Sequence, residues 1–391
     1  MVQTVDVLVV GAGIVGASCA YFLTRAGLRV TVVDRGGVAS GTTGAGEGNI
    51  LVSDKEPGPE LDLALRSTQL WRELAEECGG FEWDPKGGLV VAETQEVLDA
   101  LVIFAERQQQ HGRIAGSEVG TPEGAAPAPA DVVATCIAAG DLRELEPHIA
   151  DGLAGGVHYP QDAQVQPMLA AARLLKASGA RLVRTAVERF LVSGDRVIGV
   201  RTGEGDVYAD AVVNAAGTWA GSFAQAPLPI RPRKGFILVT QPFVVPPIRH
   251  KVYTAAYITN VASDAEGLET SGVIESTQAG TVLIGASRQR VGYDTSIDYR
   301  VLAKLARQAI GLFPVLADRQ VMRAYAGLRP YSPDHLPVIG PDWRLENLFH
   351  ACGHEGAGIG LAPATAEMIT AQITGEPTPR DPAPFAPGRF A

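Results

Sequence analysis

Residues 9–16 read VVGAGIVG, and their surroundings leave few folds open to the chain. The apolar run Val5–Val10 enters the glycines as a strand buried on both faces would. Residues 17–26 then run without a breaker to Gly27, and residues 28–33 form a second apolar stretch that closes on Asp34. The order is strand, helix, strand. In such a unit Gly11 permits the tight turn, Gly13 lets backbone approach a pyrophosphate, and Gly16 lets helix pack on strand; Ile14 and Val15, within this turn, are expected at the cofactor, and the N-terminus of the following helix meets the phosphates. Asp34 lies 23 positions after Gly11, where a carboxylate can accept from ribose hydroxyls. Nicotinamide and flavin dinucleotides both fit this turn.

The rest of the chain separates them. After Asp34 and Arg35 comes a loop of small residues, RGGVASGTTGAGEGNI, instead of further regular alternation. Ser40, Gly41, Thr42, Thr43, Gly46, Glu47, Gly48 and Asn49 supply hydroxyls, unhindered N–H groups and polar side chains along an extended ligand. Far downstream, VVNAAGTWA ends an apolar strand over residues 211–214 in Ala215, Ala216, Gly217 and Trp219, close to the same nucleotide. Before it, RVIGVRTGEGDVYAD reads as a hairpin turning at Gly203 and Gly205. Near the C-terminus NLFHACGHEGAGIGLAPATAEMI repeats the pattern: a strand to Ala351, a loop containing Gly353, His354, Glu355, Gly356, Gly358, Ile359 and Gly360, then a helix with Pro363 in its first turn. A second helix N-terminus thus points inward, suited to the negative charge of a reduced flavin ring. Nicotinamide needs no such site.

Composition narrows the partners. Among 391 residues, Lys+Arg 33 against Asp+Glu 43 gives a formal charge of -10, which argues against nucleic acid or an anionic membrane surface. Hydrophobic residues are 46% and charged residues 19%, the balance of a globular enzyme. Cys19, Cys78, Cys136 and Cys352 are scattered without metal-ligand spacing, so reduced thiols and no metal are expected. Glycines interrupt the apolar N-terminus, and no targeting segment or membrane span is expected; the expected location is cytoplasmic.

The stretches VDVLVVGAGIVGASCAYFLTRAGLRVTVVDR, ASGTTGAGEGN, VVNAAGTWA, GLRPYSPDHLPVIGP and GHEGAGIGLAPATA together resemble the FAD-dependent amine oxidoreductases of the D-amino acid oxidase, glycine oxidase and sarcosine oxidase family. Within it, GAGEGNILVSDKEPGPELDLA and GHEGAGIGL look most like the flavin subunits of D-hydroxyproline dehydrogenase, opine oxidase and hydrogen cyanide synthase. The resemblance implies an α/β protein of two discontinuous units. A Rossmann-like FAD-binding domain would comprise residues 1–83, 140–229 and 322–391, and an α+β substrate domain with a mixed sheet residues 84–139 and 230–321. It also implies that Ala186 and Val187, in RTAVERF, touch adenine through their backbone. FAD is expected to be non-covalent, because GLRPYSPD lacks the cysteine that covalent relatives carry there.

The implied reaction oxidises the C–N bond of a small amino acid, D-configured or cyclic or N-substituted, to an imine, as hydride passes to the flavin. Arg329, in AGLRPYSPD, matches the family's carboxylate-binding arginine; a guanidinium fork fixes orientation as well as charge. Tyr253 and Tyr257, in KVYTAAYITN, are candidates for a phenol on the same carboxylate, with Tyr331 a further one. His354 and Glu355 are expected to face the flavin, His354 as a candidate acid or base; His335 is a weaker candidate, and Arg288 is expected to reach solvent. Leu283 stands where fast oxidases place a lysine, so the electron acceptor can be oxygen, a quinone or a partner subunit, in a homo- or hetero-oligomer. Two other functions compete: a 2-hydroxy acid dehydrogenase using His354 as base, and an electron-transfer flavin subunit whose catalysis lies on a partner.

Helices are expected over residues 61–78, 94–111, 168–178 and 301–312. Residues 116–132, rich in Gly, Ala and Pro, read as a loop or insertion.

Overall fold

The computed structural model describes residues 5–118 and 131–391, so most of the insertion expected at 116–132 lies outside the described residues. The first strand, Val5–Val10, takes the centre of an eight-stranded sheet. It pairs in parallel with Val30–Asp34 on one side and Gly205–Asn214 on the other. Arg181–Arg184 extends the first flank, and Leu348–Cys352 followed by antiparallel Val338–Pro341 extends the second. Because helix Ile14–Arg25 and its partners Pro167–Ser178 and Gly358–Thr374 cover one face, while strands Val187–Ser193 and Arg196–Thr202 lie against the other, Val7, Leu8 and Val9 are almost fully buried. This explains the unbroken apolar run. The helix starts before residue 17 because Gly13, with extended ψ, serves as N-cap, and the second strand begins at Val30. Thr202 and Gly205 close the expected hairpin.

Helix Pro59–Glu77 carries Pro at its start and Glu60 and Asp62 in its first turn, both favourable at a helix N-terminus. Its Trp71 is fully buried and donates its indole N–H to the carbonyl of Ile359 at 3.1 Å. The helix is thereby fastened to the start of Gly358–Thr374.

A second eight-stranded sheet runs in the order Val321–Tyr331, Arg231–Thr240, Val282–Arg288, Glu269–Ser276, Lys251–Thr254, Gly88–Ala92, Gly155–Tyr159, Thr135–Ala138. One pair is parallel, Lys251–Thr254 with Gly88–Ala92, so the sheet is mixed as expected. Helix Tyr299–Leu312, capped by the Asp298 side chain on the Arg300 N–H, buries Val301, Leu305 and Leu312 with Phe236, Ile274 and Ile284 of this sheet. Two strands fall outside the units expected for them. Gly155–Tyr159 and Val321–Tyr331 hydrogen-bond into the second sheet, although residues 140–229 and 322–391 were expected with the first. Strand pairing, which sequence spacing does not reveal, decides this.

The expected helices occur as Pro59–Glu77, Gln95–Glu118, Pro167–Ser178 and Tyr299–Leu312. No helix among the described residues is long and apolar enough to cross a membrane, and no metal-binding cluster occurs among them.

Candidate active site

A cavity of about 360 Å³ runs from the carboxyl end of the first sheet to the face of the second. Its nucleotide end lies beside the central strand, where neighbouring connections leave in opposite directions and open a crevice. Gly11 has φ +112, and a Cβ there would collide with the Ala215 carbonyl, so the turn needs glycine. Helix Ile14–Arg25 has no side-chain cap of its own; Thr43, from the small-residue loop, accepts from the Ile14 N–H at 3.0 Å. Asp34 lines the cavity while also holding the turn together: Oδ2 accepts from the Ala12 N–H at 2.8 Å and Oδ1 from Gly36 and Gly37 at 2.7 and 2.8 Å. Arg35 stacks on Trp219 at 3.8 Å, giving the same end a flat wall.

Gly13, Ile14, Val15, Ser40, Gly41 and Thr42 line the cavity, as do Thr43, Gly46, Glu47 and Asn49. From the other expected segments Val187, Ala215, Ala216, Gly217 and Trp219 line it, with Ala186 beside Val187. His354, Glu355, Gly356, Gly358 and Ile359 border its far end. Four expected residues do not. A Cβ on Gly16 would strike the Gly11 carbonyl, so this glycine seats helix on strand; Gly48, at φ +103, abuts the Val165 carbonyl. Gly353, at φ +74, turns against Ile230, and Gly360 packs in its helix against Asn49 and Ile50. All four shape the site through packing.

The second sheet supplies a wall that the sequence reading missed. Gly235 and Gly327 face each other in register, and both line the cavity together with Ile237 and Ala286. A glycine inside a strand pattern, in KGFILV and AYAGLRP, was the available signal of close approach. Arg329, two residues beyond Gly327, presents its guanidinium to the cavity and donates from Nη1 to the Ser287 carbonyl at 2.8 Å. Burial and the neighbouring charge of Arg288 depress its pKa. No carboxylate among the described residues lies within ion-pair distance of it.

The other candidates separate. Tyr257 lines the cavity; Tyr253 does not, being fully buried with its hydroxyl on Ser53. Burial, with Asp162 nearby, drives the Tyr253 phenol well above its ordinary pKa. Tyr331 gives its hydroxyl to Asp264 at 2.6 Å. Arg288 is buried instead of reaching solvent, because its guanidinium folds over the Tyr257 ring at 4.7 Å. His354 lines the cavity, but its Nε2 shares a hydrogen bond with Thr365 at 2.9 Å, and burial pushes its pKa down to about 3. The imidazole is thereby held neutral and fastened to the helix. Glu355 is anchored on Arg233 Nη1 at 2.6 Å and on His335 at 3.2 Å. Burial opposes its charge, yet these partners bring its pKa down to about 2.

These groups fit FAD. Two helix N-termini without side-chain caps of their own, Ile14–Arg25 and Gly358–Thr374, open at the two ends of one cavity. Apart from the Ile14 N–H, which donates to Thr43, their first-turn N–H groups suit the pyrophosphate at one end and the anionic edge of a reduced ring at the other. Cys352 also borders the cavity, and burial drives its thiol up to about 12, so it is not a thiolate.

This fold and site define a two-domain, FAD-dependent oxidoreductase. The family model described as FAD dependent oxidoreductase (DAO) matches residues 6–372, and the chain belongs to that family. It is 29% identical to hydrogen cyanide synthase subunit HcnC of Pseudomonas aeruginosa, over 100% of this chain and 97% of that protein. It is 30% identical to glycine oxidase of the same organism, over 97% and 98%. Among solved structures, glycine oxidase from Geobacillus kaustophilus superposes with a TM-score of 0.83 at 26% identity, each chain covered in full. L-proline dehydrogenase from P. horikoshii gives a TM-score of 0.84 at 24% identity, over 100% and 98%, a likeness of fold.

Proposed function

We propose that the protein oxidises the C–N bond of a small amino acid, D-configured, cyclic or N-substituted, to an imine. The observation that carries this is Arg329: a guanidinium at the cavity wall, held by one backbone carbonyl and with no carboxylate at ion-pair distance among the described residues. Such a group is poised to take a substrate carboxylate in a two-point fork. The names of the relatives, glycine oxidase among them, support an amino acid as the ligand.

Bound FAD, held without a covalent link, supplies the two-electron acceptor for a hydride leaving the substrate carbon. The chain's own work is positioning. Arg329 fixes the carboxylate, the missing side chain at Gly235 admits the Arg329 guanidinium and that at Gly327 admits Ala45, and Tyr257 closes one side. Such pre-orientation accounts for several kcal/mol of barrier lowering in general, without a dedicated acid and base. Leu283 is half-buried on strand Val282–Arg288, with no lysine at that position. This supports a dehydrogenase passing electrons to a quinone or a partner subunit on equal terms with an oxidase.

The test is anaerobic mixing of the yellow protein with glycine, sarcosine, D-proline and lactate, followed by air. Bleaching by an amino acid is the expected result, and the speed of reoxidation in air separates oxidase from dehydrogenase. Bleaching by lactate alone would replace this reading with hydroxy acid oxidation. No bleaching by any ligand would favour a purely electron-transferring subunit.

A further inference from the structure

Another charged group faces the cavity, and cofactor binding alone does not account for how it is held. Glu47 lies in the small-residue loop and is nine-tenths buried. Its two carboxylate oxygens are treated differently by the fold. Oε2 accepts from Lys251 Nζ at 3.0 Å and from Asn49 Nδ2 at 3.1 Å. Oε1 has no hydrogen-bond partner. It lies against Gly285, where a Cβ would collide with it, next to the cavity-lining Ala286. Lys251 is itself fully buried, with Asn49 Oδ1 and Glu275 as further partners, Glu275 at 3.1 Å.

An ionised carboxylate with one oxygen unpaired in a buried site is costly unless a ligand completes it. The fold keeps Glu47 ionised all the same. Burial opposes its charge, but the Lys251 ammonium and its hydrogen bond prevail and lower its pKa, with Arg329 adding to the effect. Glu275, which also pairs with Lys251, is pushed the other way, chiefly by burial. Arg329 and Glu47 therefore confront the same cavity with opposite charges, close enough to influence one another.

We propose that Glu47 Oε1 binds the substrate nitrogen and stabilises the positive charge that forms there, opposite the carboxylate held by Arg329. The inference rests on the amino-acid reading above. The step balances without a separate base. The amine enters as its free base and donates an N–H to Oε1. As the hydride leaves the carbon with both electrons of the C–H bond, the nitrogen lone pair forms the second C–N bond. The product is an iminium cation, whose charge is paired with the carboxylate. A preorganised counter-charge that strengthens as the reaction proceeds is the arrangement that lowers a barrier most. A carboxylate ligand without nitrogen would engage Arg329 alone.

The test compares wild type and Glu47→Gln as holoenzymes. Binding is measured by calorimetry and by the perturbed flavin spectrum, for glycine, sarcosine and D-proline against propanoate, butanoate and cyclopentanecarboxylate, in which carbon replaces the nitrogen. Glu47→Gln is expected to weaken the nitrogen-bearing ligands about tenfold or more. It should leave the carbon analogues unchanged or tighter, and slow anaerobic flavin reduction by about 100-fold. Equal weakening of both ligand classes, or an altered FAD affinity with no ligand discrimination, would assign Glu47 to the cofactor and overturn the proposal. Should Glu47→Gln fail to retain FAD, Glu47→Asp is measured instead. It is expected to preserve the preference for nitrogen, and losing that preference equally for every ligand would count against the proposal. Ligand discrimination by Glu47 without reduction by any amino acid would sink the functional reading while leaving the binding role standing.

Discussion

Replacing Arg329 by lysine tests the carboxylate anchor without removing the positive charge by design. In the folded protein Nη1 is already committed to the Ser287 carbonyl at 2.8 Å, so the outer edge of the guanidinium is what remains for a ligand. Lysine offers a point charge in place of the fork and forfeits one of two charge-assisted hydrogen bonds. Such a bond contributes about 1.5–3 kcal/mol, so kcat/KM for the amino acid is expected to fall by about 10- to 150-fold. The loss should appear mainly in KM, since the anchor acts on the ground state as well as the transition state. FAD content is expected to change little, because the glycine turn and Asp34, proposed to hold the nucleotide, lie on other elements. The assay is steady-state turnover of the amino acid beside a matched amine without a carboxyl group, with FAD measured by absorbance after gel filtration. A fall of less than about threefold, or an equal fall for the amine lacking the carboxylate, would refute the assignment.

Asp34→Ala is expected to weaken FAD retention and also to destabilise the turn by about 1–3 kcal/mol, since three backbone donors lose their acceptor; normal retention through gel filtration would remove the ribose role. Trp71→Ala should cost about 3–5 kcal/mol in urea unfolding, because it empties a fully buried site and frees the Ile359 carbonyl; a loss under about 1 kcal/mol would contradict the packing described. The Glu355 carboxyl is at about 2 in the folded chain against an ordinary 4.5. A depressed carboxylate adds stability that is fully present above its unfolded value and is lost as pH falls from there through the folded one. Melting temperatures between pH 7 and pH 3 should therefore drop less steeply for Glu355→Gln than for wild type, and parallel curves would exclude this contribution.

Much of the cofactor end was legible because its chemistry is local. Strand, glycine turn and helix follow one another within some thirty residues, and each glycine's task follows from backbone geometry; the positive φ of Gly11 and the contact of Gly16 with the Gly11 carbonyl answer to those tasks. The C-terminal repeat was readable as strand, glycine loop and helix, but the helix begins at Gly358, so Pro363 lies inside it and not in its first turn. The substrate end was harder. Tyr253 and Tyr257 are four residues apart, yet one is sealed in the core on Ser53 and the other faces the cavity. Arg288 ends an apolar strand as a surface residue might, but it folds back over Tyr257. His354 sits in a promising loop and is neutralised by burial against Thr365.

The sequence by itself determined the elements and the dinucleotide turn, because these depend on residues close together along the chain. Tertiary structure alone decided which sheet received Gly155–Tyr159 and Val321–Tyr331, that Gly235 and Gly327 form a floor, and that Lys251, two hundred residues on, holds Glu47 in its ionised form. Those outcomes depend on burial and on charges brought together across long separations, and neither is written in the order of neighbouring residues.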